Sequence, residues 1–163
     1  GSGLALGDKP DRDALAATSR GPGELIRAAL DAGVTRIVLA IGGSASTDGG
    51  AGMLAALGAR LLDAEGRDVA DGGGPLAEVV DVDLSGLDAR IAETSFMLAS
   101  DVDHALLGPN GAACVFGPQK GASATDVLEL ERGLTVFARA LQGATGGEDF
   151  APHPGAGAAG GVG

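Results

Sequence analysis

The chain has 163 residues, 22 acidic against 11 basic, a formal net charge of −11 and one cysteine, Cys114. That length suits one domain, or one domain with a piece of another, with a core of its own, and a lone cysteine excludes an internal disulfide framework. The negative charge and the 2% aromatic content, with no Trp or Tyr, exclude a nucleic-acid partner, because affinity for phosphate backbones comes from Lys and Arg and single strands need stacking rings.

The first predicted element is a helix over Gly23–Ala32, with Pro22 in its first turn, Glu24 at its positive end and Gly33 ending it in a left-handed conformation. Arg36 to Ile41 is a β-branched apolar run, read as a strand buried on both faces. Gly42-Gly43 breaks it, and a polar loop runs to Gly50. A helix over Ala51–Leu57, a strand over Ala59–Leu62 and a turn at Ala64-Glu65-Gly66 follow. Val79 to Leu84 alternates apolar and acidic residues like an edge strand, and Thr94 to Ala99 is another apolar strand.

The clearest helix spans Thr125–Leu141, with Val127, Leu130, Leu134, Phe137 and Leu141 on one stripe and a capping pair at Ser123 and Asp126. Residues 143–163, rich in Gly, Ala and Pro, read as a loop or a severed connection. Strands alternating with helices predict α/β architecture, three layers around a largely parallel sheet. No segment approaches the ~18 apolar residues of a membrane span, and no signal peptide is visible, so a cytoplasmic protein with no membrane partner is expected. The chain opens on Gly1-Ser2-Gly3 without an initiator Met and ends on Gly160-Gly161-Val162-Gly163; both ends read as cuts.

In open α/β sheets ligands bind at the carboxyl ends of strands, and two loops qualify. The first is Gly42 to Gly50: its glycines free backbone N–H groups for an anion, Ser44, Ser46 and Thr47 offer hydroxyls, and Asp48 offers a base or a metal ligand. The same residue types also cap a following helix. The second is Ser100-Asp101-Val102-Asp103-His104, where a pair of aspartates at a strand end suits Mg²⁺ held together with substrate phosphates and water, and a solvated acidic turn is the alternative. It closes the stretch Asp63–Asp103, which holds eleven acidic and two basic residues and otherwise reads as a solvated surface. Lys120, between glycines in an acidic chain, suits a point-charge contact to phosphate or an exposed turn.

Sharper motifs fail. Gly42-Gly43-Ser44-Ala45-Ser46 lacks the second glycine of a G-x-S-x-G nucleophile elbow, which leaves little for a serine hydrolase using Ser44. Lys120 is in no G-K-[ST] loop, Gly155 to Gly160 matches G-x-G-x-x-G but follows no strand, and His104 and His153 lack metal-ligand spacing.

The run Ile41-Gly42-Gly43-Ser44-Ala45-Ser46-Thr47-Asp48-Gly49-Gly50-Ala51-Gly52-Met53 resembles the hallmark of the bacterial class I glycerate kinases. So do Gly23-Glu24-Leu25-Ile26, Leu84-Ser85-Gly86-Leu87-Asp88, Leu107-Gly108-Pro109-Asn110-Gly111-Ala112, Val115-Phe116-Gly117-Pro118-Gln119-Lys120-Gly121 and Gly157-Ala158-Ala159-Gly160-Gly161, in the family's order and spacing. Ser46-Thr47 stands where the family usually reads Thr-Asn, and His104-Ala105 where it reads Asn-Pro.

The resemblance implies a kinase that uses ATP and Mg²⁺ to phosphorylate D-glycerate. It implies two α/β domains, one Rossmann-like with a flavodoxin-like one inserted, and a site between them. Residues 1–163 then form the central part, mostly the inserted domain, with residues 143–163 leading toward the Rossmann-like one; the family's Asp-Ser-Phe-Lys-Gly and Thr-Gly-Glu-Gly-x-x-Asp motifs are absent. The expected site has Asp48 and Lys120 as catalytic groups, Gly42, Gly43, Ser44, Ser46, Gly49 and Asn110 binding substrate or phosphate, and Asp101 on the metal. The alternative from another class is a module that binds a small molecule or nucleotide without catalysis.

Overall fold

The computed structural model describes residues 3, 4 and 12–163; Gly1 and Ser2, read as part of a cut end, lie outside the described residues. Helix α1 spans Arg20–Asp31 and buries Gly23, Ile26 and Leu30. It starts earlier than expected, which places Glu24 beyond its first turn, and that turn carries no acidic residue. Gly33 ends the helix as expected, at φ +78°. Gly23 is where α1 meets α2 (Ala51–Ala56): a Cβ there would lie 2.6 Å from the Met53 carbonyl oxygen.

Strand β1 (Arg36–Ala40) pairs in parallel with β4 (Ser95–Ala99), Arg36 opposite Ser95 and Ala40 opposite Ala99. Burial of this run on both faces is not what the structure shows. Val38 is 65% and Met97 57% exposed, because no helical layer among the described residues covers that face of the two-stranded ribbon. The α/β architecture with parallel pairing is as expected, but the described strands form two separate two-stranded sheets rather than one largely parallel sheet. The other described pair, β2 (Arg60–Leu62) with β3 (Asp81–Asp83), is antiparallel. The expected alternation over Val79–Leu84 contracts to β3, where Val82 points into the core between two aspartates.

The core lies between β2, β3 and helix α4 (Ala124–Ala144), with Leu61, Leu76, Val79 and Val82 packed against Leu130, Leu134 and Phe137. The α4 stripe is as expected, and its N-terminus closes as a capping box despite the short acid: Ser123 N donates to Asp126 Oδ2 at 2.8 Å and Asp126 N to Ser123 Oγ at 3.2 Å. A short helix α3 (Ala112–Phe116) and a 3₁₀ turn (Pro118–Lys120) fill a segment that shows no apolar period. Beyond α4 the chain forms turns, yet it is packed. Ala158 is wholly buried, and Gly49 N donates to Gly160 O at 2.9 Å, which seats residues 158–161 against the first glycine-rich loop.

Candidate active site

Because β1 and β4 run in parallel and in register, the loops after Ala40 and after Ala99 leave from the same edge, and Ile41 N donates to Ala99 O at 3.3 Å. Gly42 and Gly43 are exposed there, Gly43 at φ +71°, with nothing within 4 Å of where a Cβ would stand on either. This is an open backbone surface of the kind that receives an anion. Leu4 N donates to Gly43 O at 2.9 Å, and Gly3 bridges Ser44, which fixes the loop from its outer side.

Lys120 comes to this loop from the turn after α3. It is only 3% exposed, so the exposed-turn alternative does not hold. Its Nζ donates to Ser44 Oγ at 3.3 Å and to the Ser46 carbonyl oxygen. Burial pushes its pKa down to about 8, against the opposing pull of the Asp48 charge. A cleft of about 210 Å³ unites Gly42, Gly43, Ser44, Asp101 and Lys120, with Gln119, Phe116 and Ala159 in its wall. Five of the expected site residues therefore meet in one place.

The others do not line this cleft. Ser46 lends Lys120 its carbonyl, while the residue lines a neighbouring cleft that shares Gly42, Gly43 and Ser44. Gly49 has its N–H on Gly160 O and no donor left for a ligand; a Cβ there would lie 2.8 Å from Phe137 Cδ1, so its glycine serves packing. Asn110 is exposed in the turn before α3. Asp48 is wholly buried. Its Oδ2 accepts from Ser19 N at 2.7 Å, Ser19 Oγ at 2.9 Å, Gly52 N at 3.2 Å and Thr18 Oγ1 at 3.4 Å, and its Oδ1 from Gly50 N at 3.3 Å. So enclosed, the Asp48 carboxylate ties α1, the loop and α2 together and does not line the cleft, where it was expected as base or metal ligand.

Thr47 is also wholly buried, and its Oγ1 has no hydrogen-bond partner among the described residues. The His104 ring packs edge-on against Phe116 at 5.0 Å between centroids, behind the cleft wall. Asp101 is exposed at the cleft, and the described residues contain no cluster of three or more metal-ligating side chains. One accessible carboxylate fits Mg²⁺, which takes one or two carboxylates and completes its octahedron with water and substrate phosphates.

Sequence reasoning passed over Ser19 and Thr18, the partners of Asp48, and Gln119 and Ala159 in the cleft wall. Ser19 precedes a helix and so reads locally as a cap, but its hydroxyl turns to Asp48, 29 residues away, and accepts from Met53 N at 3.0 Å. Ala159, at φ +51°, lies in a Gly/Ala tract with no local signal for a site.

No helix among the described residues is long and apolar enough to cross a membrane. A model of the glycerate kinase family matches residues 1–163. The glycerate 2-kinase of Escherichia coli (strain K12) is 50% identical over 162 residues, covering 99% of this chain and 42% of its own length. The glycerate kinase of Bacillus subtilis (strain 168) is also 50% identical, with the same coverage. A crystal structure from Salmonella typhimurium LT2, assigned as glycerate kinase 2, superposes with a TM-score of 0.95 at 48% identity, covering 99% of this chain and 43% of that one. The chain thus spans about two fifths of the length of the curated relatives it matches. With the match running through every residue, this chain belongs to the glycerate kinase family.

Proposed function

We propose that these 163 residues are the central part of an ATP-dependent glycerate kinase, mostly its flavodoxin-like inserted domain, with residues 143–163 leading toward a Rossmann-like domain. The observation that carries this reading is the cleft itself: a buried ammonium, two open glycines, a serine hydroxyl and an exposed carboxylate brought together from three separate segments. The family membership and the glycerate kinase names of the relatives supply the substrate.

The γ-phosphoryl group of ATP passes to a hydroxyl of D-glycerate, giving phosphoglycerate and ADP. Such a transfer needs placement and charge neutralisation more than covalent help. The backbone of Gly42 and Gly43 and the hydroxyl of Ser44 orient an anionic group, either the glycerate carboxylate or a phosphate. Lys120 faces the same space and neutralises the charge that develops in the transition state. Asp101 would hold Mg²⁺, which supplies counter-charge to the phosphates of the nucleotide. Asp48, Gly49 and Ser46 shape the loop from behind.

ADP formation that depends on both ATP and D-glycerate tests the reading. The longer protein is expected to turn over, and the 163-residue chain by itself is not, because it supplies one wall of the site. Turnover that is indifferent to glycerate would contradict it.

A further inference from the structure

Asp48 and Lys120 carry opposite charges into the base of one loop, at 0% and 3% exposure. They form no ion pair. The hydrogen-bond acceptors of Lys120 among the described residues are Ser44 Oγ and the Ser46 carbonyl oxygen, and neither is charged. An ammonium has three donors, so two are engaged and one is left. The Asp48 carboxylate is held two residues beyond Ser46 by the donors of Ser19, Thr18, Gly50 and Gly52, which fix it in place.

We propose that Asp48 is a positioning residue for Lys120. Its fixed carboxylate acts through space as the internal counter-charge that keeps the buried ammonium protonated, while the missing ion pair leaves the third N–H for an anion in the cleft. The inference rests on the kinase reading only for the identity of that anion. Charge opposite in sign but out of hydrogen-bond reach is what such a site needs, because a direct carboxylate partner would compete with the ligand. The direction in which Asp48 moves the Lys120 pKa, upward against burial, agrees with this.

Other charged groups face Lys120 and are less suited to the task. Asp101 lines the same cleft but is exposed, so water and salt screen it. Arg12 and Asp13 line the neighbouring cleft that Lys120 also enters. The Asp13 carboxylate accepts from Leu15 N and Ala16 N, and the Arg12 guanidinium donates to Gln119 O and Leu4 O.

The chain contains two lysines, Lys9 and Lys120, so ¹³Cε-lysine NMR of the 163-residue protein resolves the titration of each, with Lys9→Arg assigning the pair. The Lys120 resonance is expected to titrate near pH 8 and to hold its midpoint as salt rises from about 0.05 M to about 0.5 M, since a buried counter-charge is poorly screened. In Asp48→Asn the amide oxygen can keep the four donors at the Oδ2 position, and the Lys120 midpoint is expected to shift to lower pH. An unchanged midpoint in Asp48→Asn overturns the proposal. So does a midpoint in the parent chain that falls with salt, which would assign the counter-charge to exposed carboxylates such as Asp101. The salt series needs no variant and decides the matter even if Asp48→Asn does not fold. Neither arm reads turnover, so failure of the kinase assignment leaves both results standing.

Discussion

Ser44 and Lys120 stand 76 residues apart in the chain and meet through a 3.3 Å hydrogen bond from Nζ to Oγ. That contact ties the loop after β1 to the turn after α3 and places a buried cation beside exposed glycine backbone. Burying an ammonium without a carboxylate partner opposes folding. A site that binds an anion there accounts for keeping it, since bound substrate or phosphate supplies the missing charge.

The anchor role of Asp48 predicts a graded loss of stability. Asp48→Ala strands the N–H and hydroxyl of Ser19 and the N–H of Gly52 in a buried setting. Each orphaned donor costs about 1–3 kcal/mol, so a loss on the order of 3–5 kcal/mol is expected. Asp48→Asn keeps an oxygen facing those donors and should lose less than half as much. Denaturant melts of the two variants check the order, and equal losses would show that the donors do not matter.

Lys120 makes stability depend on pH with a definite sign. Its pKa is about 8 when folded against an ordinary 10.5. Below pH 8 both states hold the proton and the full cost of burying the charge is present. Between about 8 and 10.5 the unfolded chain binds the proton that the folded one has released, so stability rises with pH. Relative to Lys120→Met, which cancels the other titrations, the parent chain should gain on the order of 3 kcal/mol across that window. Paired melts from pH 7 to pH 10.5 measure it; a flat difference would mean an unperturbed lysine.

Gly43 and Gly49 both have positive φ, at +71° and +63°, but for different purposes. Gly43→Ala meets no neighbour and should cost only about 1–2 kcal/mol for the left-handed backbone. Gly49→Ala adds a collision with Phe137 and should cost roughly 2–5 kcal/mol in all. Turnover of the longer protein should show the reverse order among folded molecules, because only the Gly43 methyl enters the cleft. Comparing melts with steady-state rates separates the two effects.

Much of this was legible in the residues. The α4 stripe, its capping box and the strands flanking the two loops follow from local periods of 3.6 and 2, which report which face is buried. The roles inside the first loop were not legible. Ser44, Asp48 and Gly49 are all small residues of a turn-forming tract, and whether each faces a ligand, a helix terminus or Phe137 depends on partners 29 to 88 residues distant in sequence. The exposed faces of β1 and β4 misled in a similar way: an apolar β-branched run states that a strand expects cover, not that the cover lies within these residues.

The central claim is that Lys120 serves the transferring phosphoryl group. Steady-state kinetics of Lys120→Ala in the longer protein, with ATP and D-glycerate varied separately, test it most directly. A cation that acts mainly in the transition state should, when removed, lower kcat by about 10²–10³-fold and change the KM for glycerate far less. A variant that folds and retains near-parental kcat would contradict the account and leave Lys120 as a strut between two loops.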